Sequence, residues 1–82
     1  MKLFLISQNV NDGYDTWDSA VVAAEDEQLA RMTHPSEYKN PWNGKEERYG
    51  GWCDAVHVKV EYLADAKPGS QAGVILASFN AG

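Results

Sequence analysis

The chain has 82 residues, 44% of them apolar and 23% charged. That composition supports one small hydrophobic core, so a single domain over residues 1–82 of modest stability is expected, and it excludes a disordered chain. Twelve acidic residues face seven basic ones, for a net charge of -5. Nucleic-acid binding needs clustered Lys and Arg to release counterions, and no such cluster exists, so direct nucleic-acid binding is not expected. The charge is lopsided: residues 1–37 hold seven acids and two bases, whereas residues 38–82 hold five of each. An acidic half favours solubility or a basic partner.

In chain order, Lys2–Gln8 predicts the first strand. Leu3, Phe4, Leu5 and Ile6 are consecutive apolar residues, as in a strand that is central or covered on both faces. The run is too short for a signal-peptide core, and nothing approaches the length of a membrane span. The single Cys53 allows no internal disulfide, which fits a reducing cytoplasm. Asn9–Asp18 is read as a loop carrying Tyr14 and Trp17, with Asp12-Gly13 as turn chemistry. Ser19–Ala24 predicts a second strand. Glu25-Asp26-Glu27 then opens a short helix over 25–32, because acids oppose the positive end of the helix dipole and Asp26 or Glu25 can cap. Leu29 and Met32, with Ala30 or Thr33 beside them, form its short apolar stripe, and Pro35 ends it.

Ser36–Cys53 is irregular. It carries Pro41, Gly44, Gly50 and Gly51 together with Tyr38, Trp42, Tyr49 and Trp52, and a loop of this length is commonly functional or mobile. Asp54–Leu63 gives the clearest periodicity in the chain: Val56, Val58, Val60 and Tyr62 alternate with His57, Lys59 and Glu61, the mark of a half-buried strand. Residues 64–72 with Pro68-Gly69 connect it to a last strand, Gly73–Phe79. The predicted class is α+β: a small, mainly antiparallel four-stranded sheet with one short helix on one face, in the order β-β-α-β-β, and a long irregular loop before the third strand. Strands one and two, and strands three and four, are the expected hairpin pairs.

Several blocks carry a resemblance: Met1 to Arg31, His34-Pro35-Ser36, Val58 to Leu63, and GVILASFNAG from Gly73 to Gly82. Together they cover well over half the chain, and GYDT-x-DSAVVAAE with the terminal ILASFNAG is a specific combination. The chain resembles a family of short hypothetical proteins encoded by bacteriophages and prophages. Trp17 stands where that pattern more often has Tyr, and the stretch from Glu37 to Trp52 is its variable part. The resemblance implies a phage product in the host bacterial cytoplasm, and by association an inhibitor of host or defence machinery. It carries over no catalytic residue and no cofactor.

The chemistry-bearing residues form no catalytic set. On a strand, Cys53 and His57 would share a face but stand about 13 Å apart. No pair has structural-zinc spacing, and Asp12, Asp15 and Asp18 lack the ligand pattern of a calcium loop. Gly50-Gly51 opens no helix, so a nucleotide fingerprint is missing. No enzyme, cofactor or metal is therefore expected. The aromatic residues of the loops either cap a thin core or form a binding patch, for which Tyr, Trp and Arg are the favoured residue types. The expected binding residues are Asp12, Tyr14, Asp15, Trp17, Trp42, Arg48, Tyr49 and Trp52. They would serve a non-enzymatic protein that binds a bacterial partner with a basic surface. The alternative is a small-molecule or nucleotide binder, with its pocket at an oligomer interface. A homodimer through a sheet edge is compatible with either reading.

Overall fold

The computed structural model describes residues 1–48 and 50–80. The elements are β1 (Lys2–Ser7), β2 (Thr16–Ala24), α1 (Glu27–Arg31), β3 (Lys59–Asp65) and β4 (Gly73–Asn80), with 3₁₀ turns at Glu37–Lys39 and Ala55–His57. The four strands form one sheet in the spatial order β3-β1-β2-β4, and every neighbouring pair is antiparallel. The α+β class, the four strands and the single short helix are as the sequence predicts.

β1 and β2 pair as expected, with Phe4 opposite Val22 and Ile6 opposite Ala20. The expected second hairpin does not form. β3 pairs with β1, β4 pairs with β2, and the two lie at opposite edges. β1 and β2 carry apolar residues on both faces, which suits the two central places. Crossing three strand spacings takes about 14 Å, and the seven residues 66–72 can span about 23 Å. Neighbours in sequence were therefore not forced to be neighbours in the sheet.

Three elements differ in length from their predictions. β2 begins at Thr16 and not at Ser19, so Thr16–Asp18 belong to the strand and not to the predicted loop, because their backbone pairs with the end of β4. α1 has only five residues, with the Asp26 carboxylate accepting from the Leu29 N–H at 2.8 Å as its cap. Its core contact is Ala30, while Leu29 is exposed. β3 begins at Lys59 because the first part of the alternating stretch winds into the Ala55–His57 turn, which leaves Val56 and His57 exposed. Arg31 fixes that turn by donating from Nη1 to the carbonyls of Ala55 and Val58.

The core lies on one face of the sheet. Phe4, Ile6, Ala20, Val22 and Ala24 form its floor, and Ala30 adds a small contact from α1. The rest of the cover is Trp42, Trp52, Cys53, Ala55 and Val58, all from the long segment between α1 and β3. That segment is structural, because a helix of little more than one turn leaves most of a four-stranded face to be covered by something else. On the opposite face Leu3, Leu5 and Val21 are only half-buried, among strand neighbours.

Candidate interaction cleft

The loop after β1 is organised by one side chain. Gln8 accepts from the N–H groups of Val10 and Asn11 through Oε1, at 3.1 and 2.8 Å. It donates from Nε2 to the carbonyls of Asn11 and Trp17, at 2.8 Å each. An amide that satisfies both donors and acceptors of a turn replaces the ladder bonds lost where the strands part. The loop ends at Asp15, whose φ of 60° lies in the left-handed region that Asp tolerates better than most residues. Its N–H donates to the carbonyl of Asn80 at the end of β4.

This loop meets the segment before Trp52. The Asn11 amide donates to the Glu46 carboxylate at 2.7 Å across 35 residues of sequence. The Trp17 N–H donates to the Gly51 carbonyl at 2.9 Å. Gly51 has φ +69°, and a Cβ there would lie 2.6 Å from the Asp15 carbonyl oxygen, so only glycine permits this approach. Between the two loops lies an open cleft of about 500 Å³ lined by Asp12, Tyr14, Asp15, Glu46, Glu47 and Arg48, among others.

The cleft is acidic. Four carboxylates line it beside one guanidinium, and one of them, Glu47, is also paired with Lys39 at 3.1 Å. No hydrogen bond ties the carboxylates of Asp12 and Asp15 among the described residues. Tyr14 is 77% exposed.

The expected binding residues therefore divide. Asp12, Tyr14, Asp15 and Arg48 come together on this surface. Trp17 is half-buried. A bulge at Asp18 interrupts its pairing with β4, so Trp17 faces Phe79 on the core side at a ring distance of 4.6 Å. Without the extra residue, period two would have sent it to the face of Ser19 and Val21. Trp42 and Trp52 belong to the core, which corrects the expectation that they form part of an exposed patch. Trp42 can be buried because its Nε1–H donates to the Lys45 carbonyl at 3.0 Å, within its own Asn43-Gly44 turn. Tyr49 lies outside the described residues. Sequence reasoning missed Gln8, Asn11 and Gly51 as the residues that hold the loops. The one available signal was the Gly50-Gly51 pair, which marks a close backbone approach when no phosphate motif surrounds it.

The core side also holds an aromatic box. His34 is buried, with Trp17 and Trp42 edge-on to its ring at 5.5 and 5.4 Å and Trp52 at 6.5 Å. Its Nδ1 accepts the Ser36 N–H at 2.9 Å, so the neutral ring carries its proton on Nε2. Burial, and secondarily the Lys39 ammonium, push its pKa down to about 4, with Glu47 opposing. Burial pushes the Cys53 thiol up to about 11. Cys53 is buried and His57 is exposed, so neither is placed for nucleophilic work with the other. Among the described residues no group of three or more His, Cys, Asp or Glu is placed to hold a metal ion, and no helix is long and apolar enough to cross a membrane.

No family model matches the chain, nor does any curated protein or solved structure.

Proposed function

We propose that this chain is a non-enzymatic interaction protein of phage origin. It would act in the host bacterial cytoplasm by offering the acidic cleft to a basic segment of a bacterial protein, as an inhibitor of that protein. The observation that carries this reading is the joining of the two loops. Asn11–Glu46 and Trp17–Gly51 hold them in one place, and the cleft between them gathers Asp12, Asp15, Glu46 and Glu47 beside the exposed ring of Tyr14. A cluster of carboxylates attracts cations, and a tyrosine adds apolar contact and a hydroxyl.

The test uses the immobilised chain against bacterial lysate, beside an Asp12→Asn/Asp15→Asn double variant. Asn keeps the left-handed backbone at position 15 and removes only the charge. The expected outcome is a stoichiometric basic partner that the variant fails to retain and that dissociates as salt rises. Recovery of no stoichiometric partner, or equal recovery by the variant, overturns the reading. Trp42→Ala is a poor probe, because emptying a buried indole site costs about 3–5 kcal/mol.

A second reading, as a small-molecule binder, is favoured by a groove of about 550 Å³ between α1 and the start of β4. Leu29, Met32, Pro41 and Trp42 line it together with Glu25 and Glu37. Among the described residues no basic side chain lines it, so an apolar amine suits it better than a nucleotide. Thermal-shift screening against both classes separates them, and flat melting curves throughout would remove this reading.

A further inference from the structure

We infer, resting on the cleft as the receiver of a basic segment, that this segment is extended and runs on along β4 as a fifth strand of the sheet. The sheet has two edges, β3 and β4. They are not alike. β3 carries Lys59, Glu61 and Asp65, charges of the kind that keep an edge from pairing. β4 reads GVILASFN, with no charged residue and no proline. Ile75 is an extra residue between Val74 and Leu76, which pair with Val22 and Val21, so the edge bulges near its start. Beyond the bulge, Leu76 and Phe79 are 69% and 45% exposed. A strand at the end of a sheet keeps alternate N–H and C=O groups turned outward. Residues 76–79 therefore offer such groups, with no strand beside them among the described residues.

Charge decides the occupant, because both ends of β4 are acidic. At its far end, Asp12 and Asp18 line a hollow together with Ser78, Phe79 and Asn80, and Asp12 also lines the cleft. At its start, Gly73 shares a groove with Glu25 and Glu37, and a Cβ on Gly73 would lie 3.6 Å from a Glu37 carboxylate oxygen. Among the described residues no basic side chain lines either hollow. A second copy is the wrong occupant. Antiparallel β4–β4 pairing would lay the end beside Asp12 and Asp18 against the other copy's end beside Glu25 and Glu37, and each chain already carries a net charge of -5. An uncharged, β-branched run with Lys or Arg at both ends fits instead. Its cations meet carboxylates at each end while its main chain completes the ladder of β4. Strand addition draws its affinity from main-chain hydrogen bonds, so it does not need the area that two folded chains must bury. If the segment follows the antiparallel ladders already present, it starts beside Asn80, next to the cleft, and ends beside Gly73.

NMR titration of the isotopically labelled full chain tests this, with a synthetic peptide of alternating valine and threonine flanked by paired lysines at each end. The expected result is saturable shifts of the backbone amides of residues 76–80, slower amide exchange along β4, and no change on β3. The same peptide with glutamates in place of the lysines should bind at least about tenfold more weakly. Ser78→Lys puts a charge on the exposed edge. It should keep the far-ultraviolet circular dichroism of the parent and weaken the lysine peptide about tenfold. Shifts confined to Asp12, Tyr14, Asp15 and Arg48 overturn strand addition and leave the cleft standing. Equal binding of the glutamate peptide, or no shift at all, also overturns it. So does a free chain that sediments as a dimer which Ser78→Lys dissociates, since a second copy then holds the edge. Lysate capture by the parent against the Asp12→Asn/Asp15→Asn variant judges the cleft independently of these results.

Discussion

Acidification should act on this fold mainly through His34. In the folded chain its pKa lies at about 4, against 6.5 for the ordinary imidazole. Between those values the unfolded chain binds a proton that the folded chain refuses. Stability from this residue is therefore complete above pH 6.5 and is lost as pH falls toward 4. Linkage puts the loss at about 2 kcal/mol by pH 5 and about 3 kcal/mol by pH 4. A domain of this size has on the order of 4–12 kcal/mol in total, so the effect is large. The cause is geometric. The ring is enclosed by three indoles, its Nδ1 is taken by the Ser36 N–H, and an imidazolium there would need a donor site where an acceptor site is fixed. Urea unfolding at pH 7, 6 and 5 should show the midpoint fall by about 1–2 M by pH 5, for an m-value of about 1–2 kcal/mol per molar. An NMR titration should show the His34 imidazole still neutral at pH 5. Equal midpoints at pH 7 and pH 5, or an imidazole that titrates near 6.5 in the folded protein, would refute the reasoning.

Two further outcomes follow from close packing elsewhere. Gly51→Ala forces a Cβ against the Asp15 carbonyl at a backbone angle that alanine resists. It should lower the melting temperature by about 4–8 °C or more, given a cost of at least about 1 kcal/mol, and should weaken partner capture in the same preparation; an unchanged melt would show that the loops are not tied there. Cys53 is buried and its thiol is held above the ordinary range, so a thiol reagent should label it only after urea unfolding. Rapid labelling of the native chain would contradict the placement of that residue.

The class of the fold was legible from the apolar patterning of the strands together with the acids and Pro35 that bracket the helix, and β1 announces itself as a central strand. Leu3 to Ile6 is apolar at every position, and a central strand is where that pattern belongs. The edge strands were misread as partners because nothing in 64–72 states how far that connection travels. A Pro-Gly turn closes a hairpin and rounds a long crossing equally well, and Gly69 at φ +87° serves the second. The start of β3 was hidden for a related reason. Val56 and Val58 fit a strand by spacing, but the side chain that ends the strand there is Arg31, from another element. Tertiary donors of that kind leave no local mark in the sequence.

The candidate cleft was half legible for the same cause. Asp12, Tyr14, Asp15 and Arg48 could be named from residue type, since charged side chains and a tyrosine in a loop favour the surface. The tryptophans were ambiguous because their position depends on a count of one. Asp18 is an extra residue in β2, and it sends Trp17 to the core side, where it meets His34 and Phe79. Through His34 that ring reaches Trp42 and Trp52, the cover that the short helix does not supply. The same backbone position fastens the cleft, because the Trp17 N–H holds the Gly51 carbonyl. One inserted residue thus places an indole against the core and brings the second loop against the first, so loop position and core packing cannot vary independently. A substitution that straightened the bulge would lose both at once. For that reason the buried rings matter to the cleft as its support, while the surface of the cleft is made by Asp12, Tyr14, Asp15 and Arg48 among others.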